Sequence, residues 1–456
     1  MSPAQPQGAP LPGDGELPRG VAAPAVGGGR RPFSVYLHVP YCRARCGYCD
    51  FNTYTNLFMG AGASASDYVS TLAMELRGAR EAMDRAGLEP RPASTVFVGG
   101  GTPTVLPAGD LVAMVALVGE YFGLAAGAEV STEANPESVD QAVLEALAQG
   151  GFTRVSFGMQ SAVPGVLATL ERAHRPERVP RVVSWARQAG LVTSLDLMYG
   201  TPGESMEDWR RSLDAAVDMG PDHLSAYALV IEEGTRMWAR VRRGELPMPV
   251  DDDEAAKYEL ADAVLADAGY QWYEISNWAR PGAECRHNRA YWLDWDWWGA
   301  GPGAHSHLGD VRAWNIKHPL AWAGRVRDGR LPVAGHEVIS AESRQLETVM
   351  LGIRLREGLD LAGLGRRPGE QGPAGAPAPR PVRLPQGEGA AGGAASTGSA
   401  GSMASGGRTP AHLVPVVGRL VADGLLDGAA ALRGRAVLTL RGRLMADTVT
   451  RALVDG

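Results

Sequence analysis

The sequence predicts an α/β protein in which strand–helix units build most of a parallel barrel, followed by an aromatic-rich extension and a C-terminal helical, winged-helix-like module. Three observations predict this. Between residues 33 and 229, six short apolar runs alternate with helix-length segments, the order that makes a parallel sheet. Seven of the eleven tryptophans (Trp272, Trp278, Trp292, Trp295, Trp297, Trp298 and Trp314) then crowd between residues 270 and 320. Beyond residue 338 the pattern is helical again, with one short strand before the last helix.

Residues 1–31 are rich in Pro, Gly and Ala and are expected to form a disordered arm, because little in them offsets the entropy of ordering. The barrel is placed at 32–269. Its strand candidates are SVYLHV (34–39), STVFV (94–98), AEVSTE (128–133), TRVSFG (153–158), VTSLDLMYG (192–200) and HLSAYAL (223–229). Segment 67–87 repeats Tyr68, Leu72 and Leu76 every four residues, as an amphipathic helix does, and further helical segments occupy about 109–123, 137–149, 178–189 and 205–219. In such folds the chemistry sits at the C-terminal ends of the strands, so functional motifs are expected directly after these runs. The extension is placed at 270–337, where dense aromatics beside GAGPGAHSHLG suggest an apolar surface or a ligand pocket. The final region, 338–456, opens with a helical segment and contains a low-complexity stretch at about 366–410, expected to be a disordered insertion. A helix, the strand RAVLTL and a last helix follow it.

The 456 residues are 45% apolar and 21% charged, with net charge -7, which is the composition of an ordinary soluble protein. A nucleic-acid binder held by a broad basic surface is not expected. Four cysteines are too few for a disulfide scaffold, and three of them (Cys42, Cys46, Cys49) lie within eight positions, which suggests metal binding in a reducing compartment. With no signal-like apolar region and no run of 18 apolar residues, the expected location is the cytoplasm. Any membrane contact is expected to be peripheral and through a partner.

Cys42, Cys46 and Cys49 form C-x3-C-x2-C immediately after the first strand candidate. Three thiolates at this spacing suit a cubane iron-sulfur cluster, binding three irons and leaving the fourth open for an exchangeable ligand. A zinc site is the alternative, with His38 or Cys285 as the fourth donor, although no second C-x-x-C exists downstream.

The segment YLHVPYCRARCGYCDF (36–51) resembles the radical S-adenosylmethionine (SAM) superfamily, in the branch that holds oxygen-independent coproporphyrinogen III dehydrogenases and the HemW-type heme chaperones. The resemblance runs from about residue 33 to the end, outside the insertion. It implies a partial parallel (β/α)6 barrel, a 4Fe-4S cluster on the three cysteines, and SAM chelating the open iron. It further implies SAM contacts at Gly100, Gly101 and Thr102 of GGGTPT, at Glu133 of STEANP, at Gln160 of FGMQS and at Arg172 of LERAH. Tyr36 and Tyr48 resemble the family's aromatic contacts. GGGTPT by itself reads equally well as a turn, and Arg172 as a surface cation. Asp196 lies inside an otherwise apolar strand, where a buried carboxylate needs a partner that a ribose diol would provide.

Two features separate the branches. The dehydrogenases continue the cluster motif with a fourth cysteine two positions on, where this chain has Phe51. CRHNRAYW (285–292) matches the H-N-R-x-Y-W motif of the chaperones, and the resemblance makes His287 the heme-associated histidine, with Arg289, Tyr291 and Trp292 beside it. An imidazole can ligate heme iron, an arginine can pair with a propionate, and aromatics can cover the macrocycle. The expectation is a heme chaperone that delivers heme to acceptor hemoproteins, respiratory ones among them. Two alternatives stay open: a coproporphyrinogen dehydrogenase performing radical decarboxylation, and another radical SAM enzyme in which the 287–292 motif only packs the barrel.

Overall fold

The structure is a computed structural model and describes residues 8–12, 16–24, 30–365 and 409–455. Six parallel strands, β1 (Phe33–Val39), β2 (Ala93–Gly100), β3 (Leu124–Ala134), β4 (Arg154–Gln160), β5 (Val192–Tyr199) and β6 (His223–Ala228), hydrogen-bond to one another in chain order. Between and after them run α1 (Tyr68–Arg85), α2 (Ala108–Tyr121), α3 (Gln141–Gln149), α4 (Pro164–Thr169), α5 (Val179–Gln188), α6 (Met206–Met219), α7 (Arg236–Arg242) and α8 (Asp251–Asp267). Local chemistry starts several of these helices. Ser205 and Asp208 form a reciprocal capping box on α6, and Asp140 accepts the Val143 N–H on α3.

The sheet does not close. The aromatic-rich region supplies strands to both of its ends: β7 (Gln271–Glu274) and β8 (Asn277–Ala279) beside β6, and β9 (Asp296–Ala300), β10 (His305–Leu308), β11 (Val311–Asn315) and β12 (Val333–Val338) beside β1. Strand β9 runs parallel to β1, and the other added strands pair antiparallel. Three of the seven tryptophans of this region, Trp278, Trp298 and Trp314, are buried in the sheet's packing, and the other four are partly exposed. Helices α9 (Arg286–Trp292) and α10 (Pro319–Arg327) complete it. The C-terminal module contains α11 (Ala341–Gly352), α12 (Val414–Ala422), α13 (Gly428–Leu432), α14 (Leu440–Leu444) and α15 (Ala446–Asp455), with a two-stranded antiparallel pair of β13 (Leu359–Asp360) and β14 (Arg435–Ala436). Most of the expected insertion at 366–410 lies outside the described residues.

Two stretches of the segment expected to be an arm are instead seated on the fold. Ala9 exchanges backbone hydrogen bonds of 2.9 and 2.8 Å with His336 of β12, and the Asp310 N–H bonds to the Gly20 carbonyl at 3.0 Å. An edge strand with unpaired backbone groups captures even a sequence of low apolar content.

The two faces of the parallel sheet differ in chemistry. Outward-facing Val35, Leu37, Val96, Val98, Val155, Phe157, Leu195, Leu197 and Leu224 are buried beneath the helices, each contributing roughly 1.5–3 kcal/mol of apolar burial. The inner face carries Ser34, Tyr36, Ser131, Glu133, Ser156, Gly158, Ser194, Asp196, Ser225 and Tyr227, in the register that sets paired residues on one face. Small and polar side chains line this inner face, and Tyr227 on it is 42% exposed although it belongs to a parallel strand.

Candidate functional site

The cysteine loop begins where β1 ends. Its ends are tied by the Cys42 N–H to the Tyr54 carbonyl (2.9 Å) and the Tyr54 N–H to the Pro40 carbonyl (2.7 Å). Its middle is held by the Gly47 N–H on the Leu170 carbonyl (3.1 Å) and by the Met237 N–H on the Gly47 carbonyl (2.9 Å). Each thiol meets its own polar neighbour: the Thr102 hydroxyl lies 3.7 Å from Cys42, the Arg172 Nη1 donates to Cys46 at 3.4 Å, and the Thr53 hydroxyl lies 3.9 Å from Cys49. All four cysteines are free thiols. Burial pushes the Cys42 thiol up to about 11, and the charges of Cys46 and Cys49 add to that rise. The three thiols share one short loop, with the Arg172 guanidinium beside Cys46, but among the described residues no three His, Cys, Asp or Glu side chains are grouped closely enough to hold a single metal ion.

The loop after β2 packs directly on the cysteine loop. Gly101 and Thr102 donate their N–H groups to the Val39 and Tyr41 carbonyls, each at 2.8 Å. A Cβ on Gly101 would stand 2.5 Å from the Tyr41 carbonyl oxygen, and one on Gly100 (φ 111°) would stand 2.5 Å from the His38 ring. Close packing of the two loops thus accounts for both glycines before any ligand does.

Glu133 accepts the Gly100 N–H at 2.9 Å; burial and the neighbouring Asp196 carboxylate push it up to about 8. Asp196 accepts the Ser156 hydroxyl at 2.9 Å, and burial raises it, opposed by Ser156, Ser225 and Arg172. Gln160 is buried in left-handed backbone (φ 62°) at a register shift between β4 and β5. Arg172 also donates to the Gly158 carbonyl at 2.7 Å and acts on Tyr48 and Asp196. Tyr36 bonds through its hydroxyl to His38 Nδ1 at 3.0 Å. The structure therefore gathers Tyr36, Tyr48, Gly100, Gly101, Thr102, Glu133, Gln160, Arg172 and Asp196 around the cysteine-loop end of the hollow. Ser156 and Ser225, which satisfy Asp196, were not singled out from sequence. Their signal is the polar residue at every second position of strands whose other side is apolar.

The 287–292 motif lies at the opposite end. Helix α9 plugs the N-terminal end of the sheet, where Glu129 of β3 accepts the N–H groups of Arg286 (3.1 Å) and His287 (2.9 Å). Arg154 of β4 sits 3.5 Å from the same carboxylate and donates to the Ala283 carbonyl at 2.6 Å. His287 is buried, with the Phe97 ring stacked on it at 5.1 Å. Its Nδ1 is 2.7 Å from the Thr95 hydroxyl, which itself donates to Ser34, and its Nε2 is 3.0 Å from the Tyr291 hydroxyl. The ring is therefore a neutral Nδ1–H tautomer whose Nε2 lone pair accepts from Tyr291, and burial lowers its pKa to about 3. The motif expected to meet heme presents no unengaged imidazole nitrogen here. Arg289 is paired with Glu357.

A parallel six-strand sheet with C-x3-C-x2-C after its first strand defines a radical SAM protein, and residues 36–216 match the Radical SAM superfamily. The chain is 46% identical over 426 residues to the heme chaperone HemW of Mycobacterium tuberculosis, covering 93% of this chain and 95% of that protein. It is 35% identical over 339 residues to HemW of Synechocystis, covering 73% and 80%. Among solved structures, coproporphyrinogen III oxidase (HemN) from Escherichia coli superposes with a TM-score of 0.69 at 22% identity, covering 93% of this chain and 90% of that one, and shares the fold. The chain belongs to the HemW family of the radical SAM superfamily.

Proposed function

We propose that this protein is a heme chaperone: it binds heme as cargo, carries a 4Fe-4S cluster and SAM, and hands heme to acceptor hemoproteins, those of respiratory chains first. The observation that carries the reading is the 46% identity across 93% of the chain to a protein named a heme chaperone. Phe51, standing where the dehydrogenase motif has a fourth cysteine, supports it. In this reading Cys42, Cys46 and Cys49 hold the cluster, which when bound supplies a low-potential electron and an open iron position. Arg172 offsets thiolate charge beside Cys46. Glu133 and Asp196 accept hydroxyl donors of SAM, Tyr36 and Tyr48 flank it, and Gly100, Gly101, Thr102 and Gln160 shape its bed. Helix α9 closes the hollow from below, with Tyr291 and Trp292 partly exposed, and His287 and Arg289 are the heme-associated residues of its motif, beside Tyr291 and Glu357 respectively. The cytoplasm, which keeps thiols reduced, is the compartment that suits this site.

Titration of the purified chain with hemin tests the reading. Saturable, stoichiometric binding with a shifted Soret band is the expected result. Absence of saturable binding would overturn it, as would accumulation of protoporphyrinogen IX from coproporphyrinogen III by the reconstituted protein under anaerobic conditions with SAM.

A further inference from the structure

We infer that a cavity between α1 and α10, on the helical side of the sheet, binds a small phosphorylated anion of the nucleoside triphosphate class. The cavity has a volume of about 430 Å³, within the range of small-molecule sites. None of its lining residues belongs to the cysteine loop or to the inner face of the sheet. Its walls are one face of α1, the end of α10 with the turn that follows, and Leu11 of the N-terminal stretch. That stretch is held in place. Ala9 and His336 of β12 exchange backbone hydrogen bonds, and Gly8 lies so close to the Trp314 indole that a Cβ there would collide with it.

Four guanidiniums line this cavity, in a chain whose net charge is -7. Arg330 is paired with Asp328 at 3.1 Å. The side chains of Arg77, Arg85 and Arg325 make no hydrogen bond or ion pair among the described residues, and Arg325 Nε is sealed from solvent without an acceptor. Two carboxylates share the cavity. Glu75 is spent on the Gly301 N–H, Asn315 and the Trp322 indole. Glu81 stands four residues from both Arg77 and Arg85, the spacing of helical ion pairs, yet bonds to neither. Arg85 and Arg325 occupy the last turns of their helices, where a cation is favourable without any ligand. That explains neither Arg77, eight residues before Arg85, nor the sealed Arg325 Nε, since a buried donor with no acceptor is costly. Eight helical residues span about 12 Å, and guanidiniums spread over that length suit a chain of phosphates better than a single one. Leu11, Met74 and Leu331 supply an apolar wall for the base. Gly78 keeps the middle open: a Cβ there would meet only Leu331, at an ordinary 3.8 Å, so a longer side chain would enter the cavity without moving the backbone.

The test is calorimetric titration of the full chain with adenosine triphosphate (ATP), in the parent and in two variants, with circular dichroism as the control for folding. The parent is expected to bind ATP at one saturable site. Joint Arg77→Ala and Arg85→Ala substitution is expected to weaken that binding on the order of tenfold or more; both side chains are exposed, so the fold is kept. Gly78→Leu leaves every charge in place and favours the helix, so it is expected to raise the melting temperature while blocking the site. Inorganic tripolyphosphate is expected to bind the same site more weakly, for want of a base. No saturable ATP binding by the parent would overturn the assignment, as would parent-like affinity in either folded variant. Displacement of ATP by excess SAM would put the nucleotide in the SAM site and sink the proposal too. Tripolyphosphate binding as tightly as ATP would overturn the nucleoside class of the ligand.

Discussion

Glu133 ends β3 with one carboxylate oxygen on the Gly100 amide and with Asp196 close by, and its pKa stands at about 8. In the unfolded chain the same group ionises in the ordinary carboxylate range. Between those two values the folded state holds a proton that the unfolded state has released, so stability is full at low pH and falls as pH rises toward 8. Cofactor-free protein is expected to lose on the order of 2–4 kcal/mol from this group across that window. Glu75 and Glu204, each raised to about 7 by burial, act with the same sign. Comparing urea midpoints of Glu133→Gln and its parent at each pH isolates Glu133, and identical slopes would show that it is ionised in the fold. His287 teaches a second lesson at this scale. Both of its ring nitrogens have hydrogen-bond partners in the fold, so heme ligation through Nε2 requires the Tyr291 hydroxyl to give way.

At the scale of elements, α9 is held by a carboxylate rather than by its own length. Seven residues make a marginal helix in isolation. Glu129 supplies the acceptors for the first two N–H groups and pairs with Arg154, and both side chains are buried. Glu129→Ala would leave Arg154 without its carboxylate and is expected to cost about 3–5 kcal/mol. Urea unfolding measures this, and an unshifted midpoint would mean that α9 is held chiefly by the stacking of His287 on Phe97. The six parallel strands, in contrast, were all legible, although β3 starts four residues before the run that predicts it. SVYLHV and VTSLDLMYG coincide with β1 and β5 within one position at either end. Strands β7 to β12 were not legible. They are short, and the two that join the parallel sheet, β8 and β9, find their partners on β6 and β1, far away in the chain.

At the scale of the whole molecule, Arg443 clamps the C-terminal module to the sheet's helical layer. Its guanidinium donates to both oxygens of Asp262 on α8, at 2.7 and 2.6 Å, and lies over the Trp272 ring at 4.5 Å. Lysine keeps the charge but loses the fork and the stacking, so Arg443→Lys is expected to cost about 1–3 kcal/mol. Limited proteolysis should then cut first within residues 409–455; a digestion pattern equal to the parent's would show that apolar contacts alone hold the module. Among the described residues no helix is long and apolar enough to cross a membrane.

Strand and helix order, the cysteine spacing and the motifs that end each strand could be read directly, because periodicity and spacing are properties of neighbours along the chain. Which partners the motif histidine meets could not. His287 lies beside Thr95, which stands 192 residues away, and the Trp-rich strands extend the sheet beyond β1. Burial and hydrogen-bond partnership are properties of neighbours in space, and only the assembled sheet decides them.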